Sequence, residues 1–549
     1  MPGFRILYVP PHLIGPITNW SGLGASDKCS WLIKRAEEMN FNAIWFSPMH
    51  QTSQVEKNFH GQKTSGSLYA IRNHFALDQE FSSGSDSKDI KHYRHFVATA
   101  KKKGLTVFAD LVFNHVAADH PLVKGEEQLL QKIQSGGPWT TVYGGADGRE
   151  SIGIEYEENG KAKTYYFLFK HDVRGDGQGR EWLTRRICGP ADDPWSDVAQ
   201  INYDSPAARD FFLTGKNAYW KKQINWYMDT IGITAFRCDA AYMLPPDSWQ
   251  ALVNHARAKS PDAFFMAETL GGPDDKVAGL AQAHSTEKKG IGKKGQDRPA
   301  FDLGMIANYW WNFTDRWLPD QESPRLNKMA KFGGTGSPDN HDTANTLAGH
   351  FMAVFNGHAR RDAVVAAISV RNYAVAAFVG NSVYMQMGYE LCNQKQNSVF
   401  KGKTSPQDWQ KLEAERGDGH ALNISKRIRQ INDLKKGLGV ENCQAEIGNI
   451  SEVAESRLIR MHVIYRDMKK NGKVQGEAVL FINKKPEDGA VRLDGAALQT
   501  FTEKGFSAEA AITEDAAIND VMILRKLPAQ DKNIRLNKTG YSKDESHKI

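Results

Sequence analysis

Cysteine is scarce in this chain of 549 residues, and the little there is lies scattered. The five residues, Cys29, Cys188, Cys238, Cys392 and Cys443, are odd in number and form no C-x-x-C pair. A disulfide framework and a thiolate zinc site are both disfavoured. Charge of one sign is also lacking: 70 Lys+Arg against 64 Asp+Glu leaves +6, too little for a polybasic nucleic-acid or membrane signature. The longest apolar stretch, around 364–379, is broken by Arg371 and Asn372, short of the ~20 residues a membrane span needs. The N-terminus runs from Met1 into Arg5-Ile6-Leu7-Tyr8-Val9 without a basic region, a long apolar core or a cleavage site. The expectation is a cytoplasmic protein in a reducing setting, with no nucleic-acid and no membrane partner. Repeats and low-complexity tracts are absent too.

What is present is ordinary globular composition, 40% hydrophobic and 24% charged, in a length that allows two to four domains. Short β-prone runs occur at 5–9, 43–47, 105–110, 233–239, 263–268 and 382–386, with weaker ones at 301–305 and 332–337. Helix punctuation separates them. Ser26-Asp27 opens an amphipathic run to about Asn40, and Ser87 precedes one that closes on Lys101-Lys102-Lys103-Gly104. Ser205-Pro206 starts a helix expected to end near Gly232. Strands alternating with helices mean a parallel sheet, and eight of them point to an α/β fold of the (β/α)₈ barrel type. An open doubly wound sheet usually carries a Gly-rich loop after its first strand, where this chain has Pro10-Pro11-His12.

The interval between the third and fourth strands is far too long for one crossover helix. The expected division is therefore a barrel over 1–115 and 203–438, an inserted B-like subdomain over 116–202, and a C-terminal β-sandwich over 439–532. A flexible polar tail at 533–549 completes it.

Three of the runs end on an acid: Asp110, Asp239 and Glu268. A carboxylate at the end of a buried strand is costly unless paired or functional, and barrel strands converge at their C-terminal ends. Two such carboxyls on adjacent strands suit glycosidic chemistry, one as nucleophile and one as general acid/base. The plainer alternative, that each acid only caps the turn after its strand, weakens when three consecutive strands share the feature.

Asp110-Leu-Val-Phe-Asn114-His115, Gly232-Ile-Thr-Ala-Phe-Arg237-Cys-Asp239, Glu268 after Phe-Phe-Met-Ala, and Asn340-His341-Asp342 stand in that order, their acids 129, 29 and 74 residues apart. Together they resemble the four conserved regions of the α-amylase superfamily, glycoside hydrolase family 13, over roughly residues 1–440. The resemblance implies Asp239 as nucleophile, Glu268 as general acid/base and Asp342 as the third carboxylate gripping the sugar. It also implies that His115 and His341 bind the glucosyl unit, and that Tyr69 stacks beneath it, although a core aromatic fits Tyr69 equally well. Asp110 and Asn114 complete the implied substrate-binding set. Arg237, two residues before Asp239, faces the same side and can hold it ionised. The apolar run before Glu268 should desolvate it and keep it protonated.

The match departs in places. Where many α-amylases have a Lys-His pair after the nucleophile, this chain reads Ala240-Ala241-Tyr242-Met243, so acceptor handling should differ. Where the family places an acidic calcium ligand, Val198-Ala-Gln200-Ile-Asn202 offers an amide. No cofactor is expected to be required, no metal ligands are assigned, and calcium has little support. Asp119-His120-Pro121 and Gly388-Tyr389-Glu390-Leu391-Cys392 resemble bacterial maltosyltransferases that use α-maltose 1-phosphate. Lys288-Lys289-Gly290-Ile-Gly292-Lys293-Lys294-Gly295 lies toward the active face, but a solvated loop explains it better than a phosphate site. Trp310-Trp311 and Tyr165-Tyr166 suit glucan stacking or packing.

The leading expectation is a retaining hydrolase of α-1,4 bonds in glycogen, starch or maltodextrin. Its rivals are an α-glucan or maltosyl transferase, a non-catalytic glycan-binding relative and, more remotely, a sugar isomerase. The expected partner is an α-glucan or malto-oligosaccharide, and the sequence leaves oligomeric state open.

Overall fold

Eight parallel strands close into a barrel in the computed structural model: β1 Arg5–Val9, β2 Ala43–Phe46, β3 Thr106–Leu111, β4 Ala235–Cys238, β5 Phe264–Glu268, β6 Leu303–Asn308, β7 Gly334–Ser337 and β8 Ser382–Gln386. The structure describes residues 3–10, 19–24, 26–54, 67–125, 140–144, 151–158, 161–172, 182–185, 187–188, 195–270, 272, 274–285, 298–308, 333–341, 346–395, 405–440, 443–453, 457–467, 470–508 and 516–527. Among them no helix is long and apolar enough to cross a membrane.

Strand alternation divides the barrel core in two. Ile6, Tyr8, Trp45, Met266, Leu303 and Tyr384 point inward, above a floor where Phe4, Phe108 and Phe264 meet edge to face at 5.0–5.8 Å. The intervening residues, such as Leu7, Ile44, Phe236 and Cys238, point outward against the helices. Cys238 therefore packs away from the mouth, as alternation requires. The β7 stretch Gly-Thr-Gly-Ser is poor in strand formers for a steric reason. A Cβ on Gly336 would run into the carbonyl oxygen of Ala376, and one on Gly380 into that of Gly334. The glycines let helix Arg361–Phe378 lie directly on the strands.

Helix α1 spans Ser26–Glu38 and α2 spans Asp86–Lys102, with Ser85 rather than Ser87 at the N-cap and Gly104 in the left-handed region beyond the end. The helix expected to run unbroken from Ser205 to Gly232 is interrupted. Ser205 accepts from the Ala208 N–H as an N-cap. Two wide turns follow, in which Gly215 N–H donates to Asp210 O and Gly232 N–H to Tyr227 O across five residues.

Between β3 and β4 the chain builds two small antiparallel sheets. One holds the five strands Thr140–Gly144, Ser151–Glu158, Lys161–Thr164, Phe169–Asp172 and Trp182–Arg185. In the other, Trp195–Gln200 runs back along His115–Ala117, with Ile187–Cys188 on its far edge. After the barrel, β9 Gln444–Val453, β10 Leu458–Asp467, β11 Lys473–Asn483, β12 Ser507–Ala508 and β13 Val521–Lys526 form one antiparallel sheet. One face (Met461, Val463, Leu480, Ile523) joins the barrel's outer core; Arg371 donates to Asn483 O at 2.7 Å across that seam. The other face carries a thin second layer, the strand pair Val491–Leu493 and Ala516–Ile518 with helix Gly495–Glu503. The expected tail at 533–549 lies outside the described residues.

Candidate functional site

Register brings the site together. Arg237 pairs laterally with Asp110 on β3 and with Met266 on β5, and Cys238 with Ala267. Carried one residue further, the same register sets Asp239 beside Glu268. Alternation points Arg237, Asp110 and Glu268 inward at the C-terminal mouth, where barrel side chains converge.

Arg237 is fully buried, and its guanidinium holds three carboxylates. Nη1 donates to Asp110 at 2.9 and 3.1 Å and to Asp239 Oδ1 at 2.6 Å. Nη2 lies 2.6 Å from Glu268 Oε2, which also accepts the Ala240 N–H at 2.8 Å. Ala240 reaches that position with φ at +38°, a strained left-handed conformation immediately after Asp239. Trp45 and Tyr69 lie 5.1 and 5.5 Å from the guanidinium and cover its faces.

Burial works against the charge of Arg237, but Asp110, Glu268 and Asp239 hold its pKa well above the ordinary value. Asp110 is pushed up to about 6 by burial, with Arg237 and two hydrogen bonds pulling the other way and Glu268 adding repulsion. Sequence suggests only burial for Glu268; the fold adds the charge of the Arg237 guanidinium at 2.6 Å and one donor, the Ala240 amide.

Tyr69 belongs to this cluster. Its hydroxyl donates to Asp110 at 2.9 Å, lies 3.1 Å from His341 Nε2, and its ring stacks on that imidazole at 5.5 Å and 9°. Burial and the Asp110 charge raise the phenol well above its usual pKa, so it stays a neutral donor. His341 also packs on Tyr8 and Trp45. His115 is buried and lowered to about 4, hence a neutral ring at physiological pH. Its Nε2 is 3.2 Å from the Tyr69 carbonyl oxygen, which only accepts, so Nε2 carries the proton. Nδ1 is left as a buried acceptor without a hydrogen-bond partner.

Asn114 stands apart from these groups: its Nδ2 donates to Met243 Sδ at 3.2 Å, and its Oδ1 is buried without a partner. An orphaned oxygen suits a cation. A thioether and neighbouring amides do not make the six to eight oxygens calcium takes, and among the described residues no three His, Cys, Asp or Glu side chains are arranged to hold a metal. Among the described residues the donor set does not fit calcium.

Asp342, the lysine-rich stretch 288–295 and Trp310-Trp311 lie outside the described residues. Tyr166 stacks on Phe211 as packing, and Tyr165 is buried. The two stretches resembling maltosyltransferases serve packing as well. Glu390 is wholly buried and accepts from Arg35 on α1 and from the Gly388 amide, while Asp119 takes the Gln54 amide and pairs with Arg72. Trp45 and the Ala240 amide were not singled out from sequence. An inward aromatic on a strand reads as core, and a backbone N–H leaves no mark in composition.

Acidic groups gathered around one buried arginine at the C-terminal mouth of a (β/α)₈ barrel, where barrel enzymes place their chemistry, make a candidate carboxylate-based site. Residues 24–271 match the family model of the α-amylase catalytic domain. An α-1,4-glucan:maltose-1-phosphate maltosyltransferase from Corynebacterium glutamicum is 21% identical over 255 residues, 46% of this chain and 29% of that protein. The α-amylase MalA of Haloarcula japonica is 22% identical over 248 residues, 45% of this chain and 27% of its own length. The chain thus spans less than a third of these curated relatives. The crystal structure of an α-amylase from Lactobacillus plantarum shares the fold with a TM-score of 0.57 at 15% identity, covering 95% of this chain and 99% of the other. Over residues 24–271, then, the chain is similar to the catalytic domain of the α-amylases.

Proposed function

We propose that the protein is a retaining glycosidase of the α-amylase type that cleaves α-1,4-glucosidic bonds in glycogen, starch or maltodextrins. One observation carries this reading: Asp239 and Glu268 each lie 2.6 Å from a terminal nitrogen of the same buried guanidinium. Two carboxyl groups gathered on one guanidinium from adjacent strands suit a paired-carboxylate double displacement. Asp239, kept ionised by Arg237, attacks the anomeric carbon. The bond to the leaving oxygen breaks as Glu268 gives that oxygen its proton. Glu268, now a base, takes a proton from water, whose oxygen displaces Asp239 and releases the sugar. Asp342 is assigned the third carboxylate by motif. His341 and Tyr69 shape the wall beside the reacting ring. No metal is given a step.

Transfer of the glycosyl unit to a sugar hydroxyl is the second reading, favoured by the maltosyltransferase among the relatives. Incubation with maltoheptaose, with and without α-maltose 1-phosphate, separates them. Shorter sugars alone support hydrolysis; a ladder of longer ones, or acceptor-dependent phosphate release, supports transfer. Binding of glycans with neither product refutes catalysis. Asp239→Asn should abolish turnover with the fold intact, and substantial residual activity would overturn the assigned nucleophile.

A further inference from the structure

Three large apolar side chains stand exposed among the described residues, Trp195, Val354 and Leu527, and Trp195 is the aromatic one. The returning strand of the insert carries it to the site, where its ring lies 5.8 Å from that of His115 at 66°. A lone exposed apolar residue needs no explanation in general. This one is set against a second feature that does, the buried Nδ1 of His115, an acceptor without a partner. His115 is fixed in that role because its Nε2–H is spent on the Tyr69 carbonyl. A flat apolar surface beside an unsatisfied acceptor matches a pyranose, which offers an apolar C–H face and hydroxyl donors at its rim.

We propose that Trp195 is a specificity-determining platform, its exposed indole face stacking on the glucosyl ring next to the one held at Arg237 while a sugar hydroxyl donates to His115 Nδ1. The inference rests on the α-glucan reading and extends it to a neighbouring ring. It makes the insert part of the binding cleft, and it makes affinity depend on chain length.

The test is calorimetric titration of the Asp239→Asn protein with maltoheptaose, alone and combined with Trp195→Ala or Trp195→Phe, the fold being checked by circular dichroism. Trp195→Ala should weaken maltoheptaose binding about fivefold or more, the size of an aromatic stacking contribution. Trp195→Phe should recover most of that loss, which a merely structural role in the insert would not produce. Equal affinities for the parent and the Trp195→Ala protein overturn the platform while leaving the α-glucan reading standing. A parent protein that binds no malto-oligosaccharide overturns both.

Discussion

Acidification loads protons onto four histidines that the fold has built in as neutral rings. His50 and His74 lie on the hairpin strands His50–Thr52 and Ile71–Leu77, and His120 lies just beyond the strand His115–Ala117. Helix Tyr219–Asn225 ties them together. The Tyr219 hydroxyl is 3.2 Å from both His74 Nδ1 and His120 Nε2, and Gln223 donates to His50 Nε2 at 3.2 Å. Burial lowers His50, His115 and His120 from 6.5 to about 4, and His74 moves the same way, with Arg72 opposing and Asp119 favouring charge at His120. The unfolded chain protonates these rings near 6.5 and the folded chain only near 4, so between those values acid favours unfolding. At ~1.4 kcal/mol per pKa unit, each of the three with a value costs about 3 kcal/mol over that window. Asp110 opposes them. Its pKa is raised from 3.8 to about 6, so the folded state gains that proton first and is favoured as pH falls. Four histidines against one aspartate leave about three extra protons on the unfolded chain near pH 5, a slope of about 4 kcal/mol per pH unit. Stabilities of ~5–15 kcal/mol do not survive long at that slope. Scanning calorimetry between pH 7 and pH 4.5 should show the barrel transition falling steeply below pH 6.5. Proton uptake on urea unfolding at pH 5 should drop by about one in His50→Gln and again in His120→Gln. A barrel transition that stays level between pH 7 and 5, or variants with unchanged uptake, would refute the reasoning.

Arg237→Met strips three carboxylates of their shared cation, so turnover should vanish and stability should fall by about 3–5 kcal/mol; an unchanged melting temperature would contradict a buried counter-charge. Tyr69→Phe removes one hydroxyl that donates to Asp110 beside His341. It should lower kcat/KM on maltoheptaose about 10- to 100-fold, and wild-type kinetics would show the hydroxyl to be idle. Because the donors around Asn114 do not fit calcium, prolonged chelation should leave the melting temperature where it was. A clear fall, restored by added calcium, would show that the site is complete after all.

The parts of the fold that could be read from sequence are those where side-chain chemistry repeats along the strand. β1 and β8 carry their own signal, and β3, β4 and β5 are apolar runs closed by an acid. β6 starts two residues later than the sequence suggests. Asp302 is drawn out of the strand's beginning to accept from Arg257, Arg298 and the Phe265 amide. β7 is faint because its glycines answer to the helix above them rather than to strand propensity. The helix from Ser205 was read as one piece because its wide turns keep apolar spacing nearly intact while shifting the hydrogen bonds by one residue. In the site, Asp239, Glu268 and Arg237 were visible as residues. Their sharing of one guanidinium was not, because that follows from the register between β4 and β5. Trp45 and Trp195 were missed for a related reason: an aromatic in a strand looks the same whether it fills a core or waits for a sugar.

The shared guanidinium sets a problem in charge counting. Three carboxylates around one cation cannot all stay ionised in a buried mouth without a large cost, so the cluster retains a proton readily, and Asp110 at about 6 is where the substrate-free structure favours holding it. The proposed chemistry needs that proton on Glu268 instead. Asp110 is thus a positioning residue: its charge repels Glu268 and competes for Arg237, and both effects ease protonation of the acid. Asp110→Asn preserves the shape and can still accept from Arg237, but it removes the repulsion and leaves the guanidinium to Asp239 and Glu268. The basic limb of the kcat profile on maltoheptaose should then move to lower pH, by up to about one unit, with the acidic limb little changed. A merely structural Asp110 would lower activity evenly across the profile. A basic limb that stayed in place would show that Glu268 draws its proton without help from the buried aspartate.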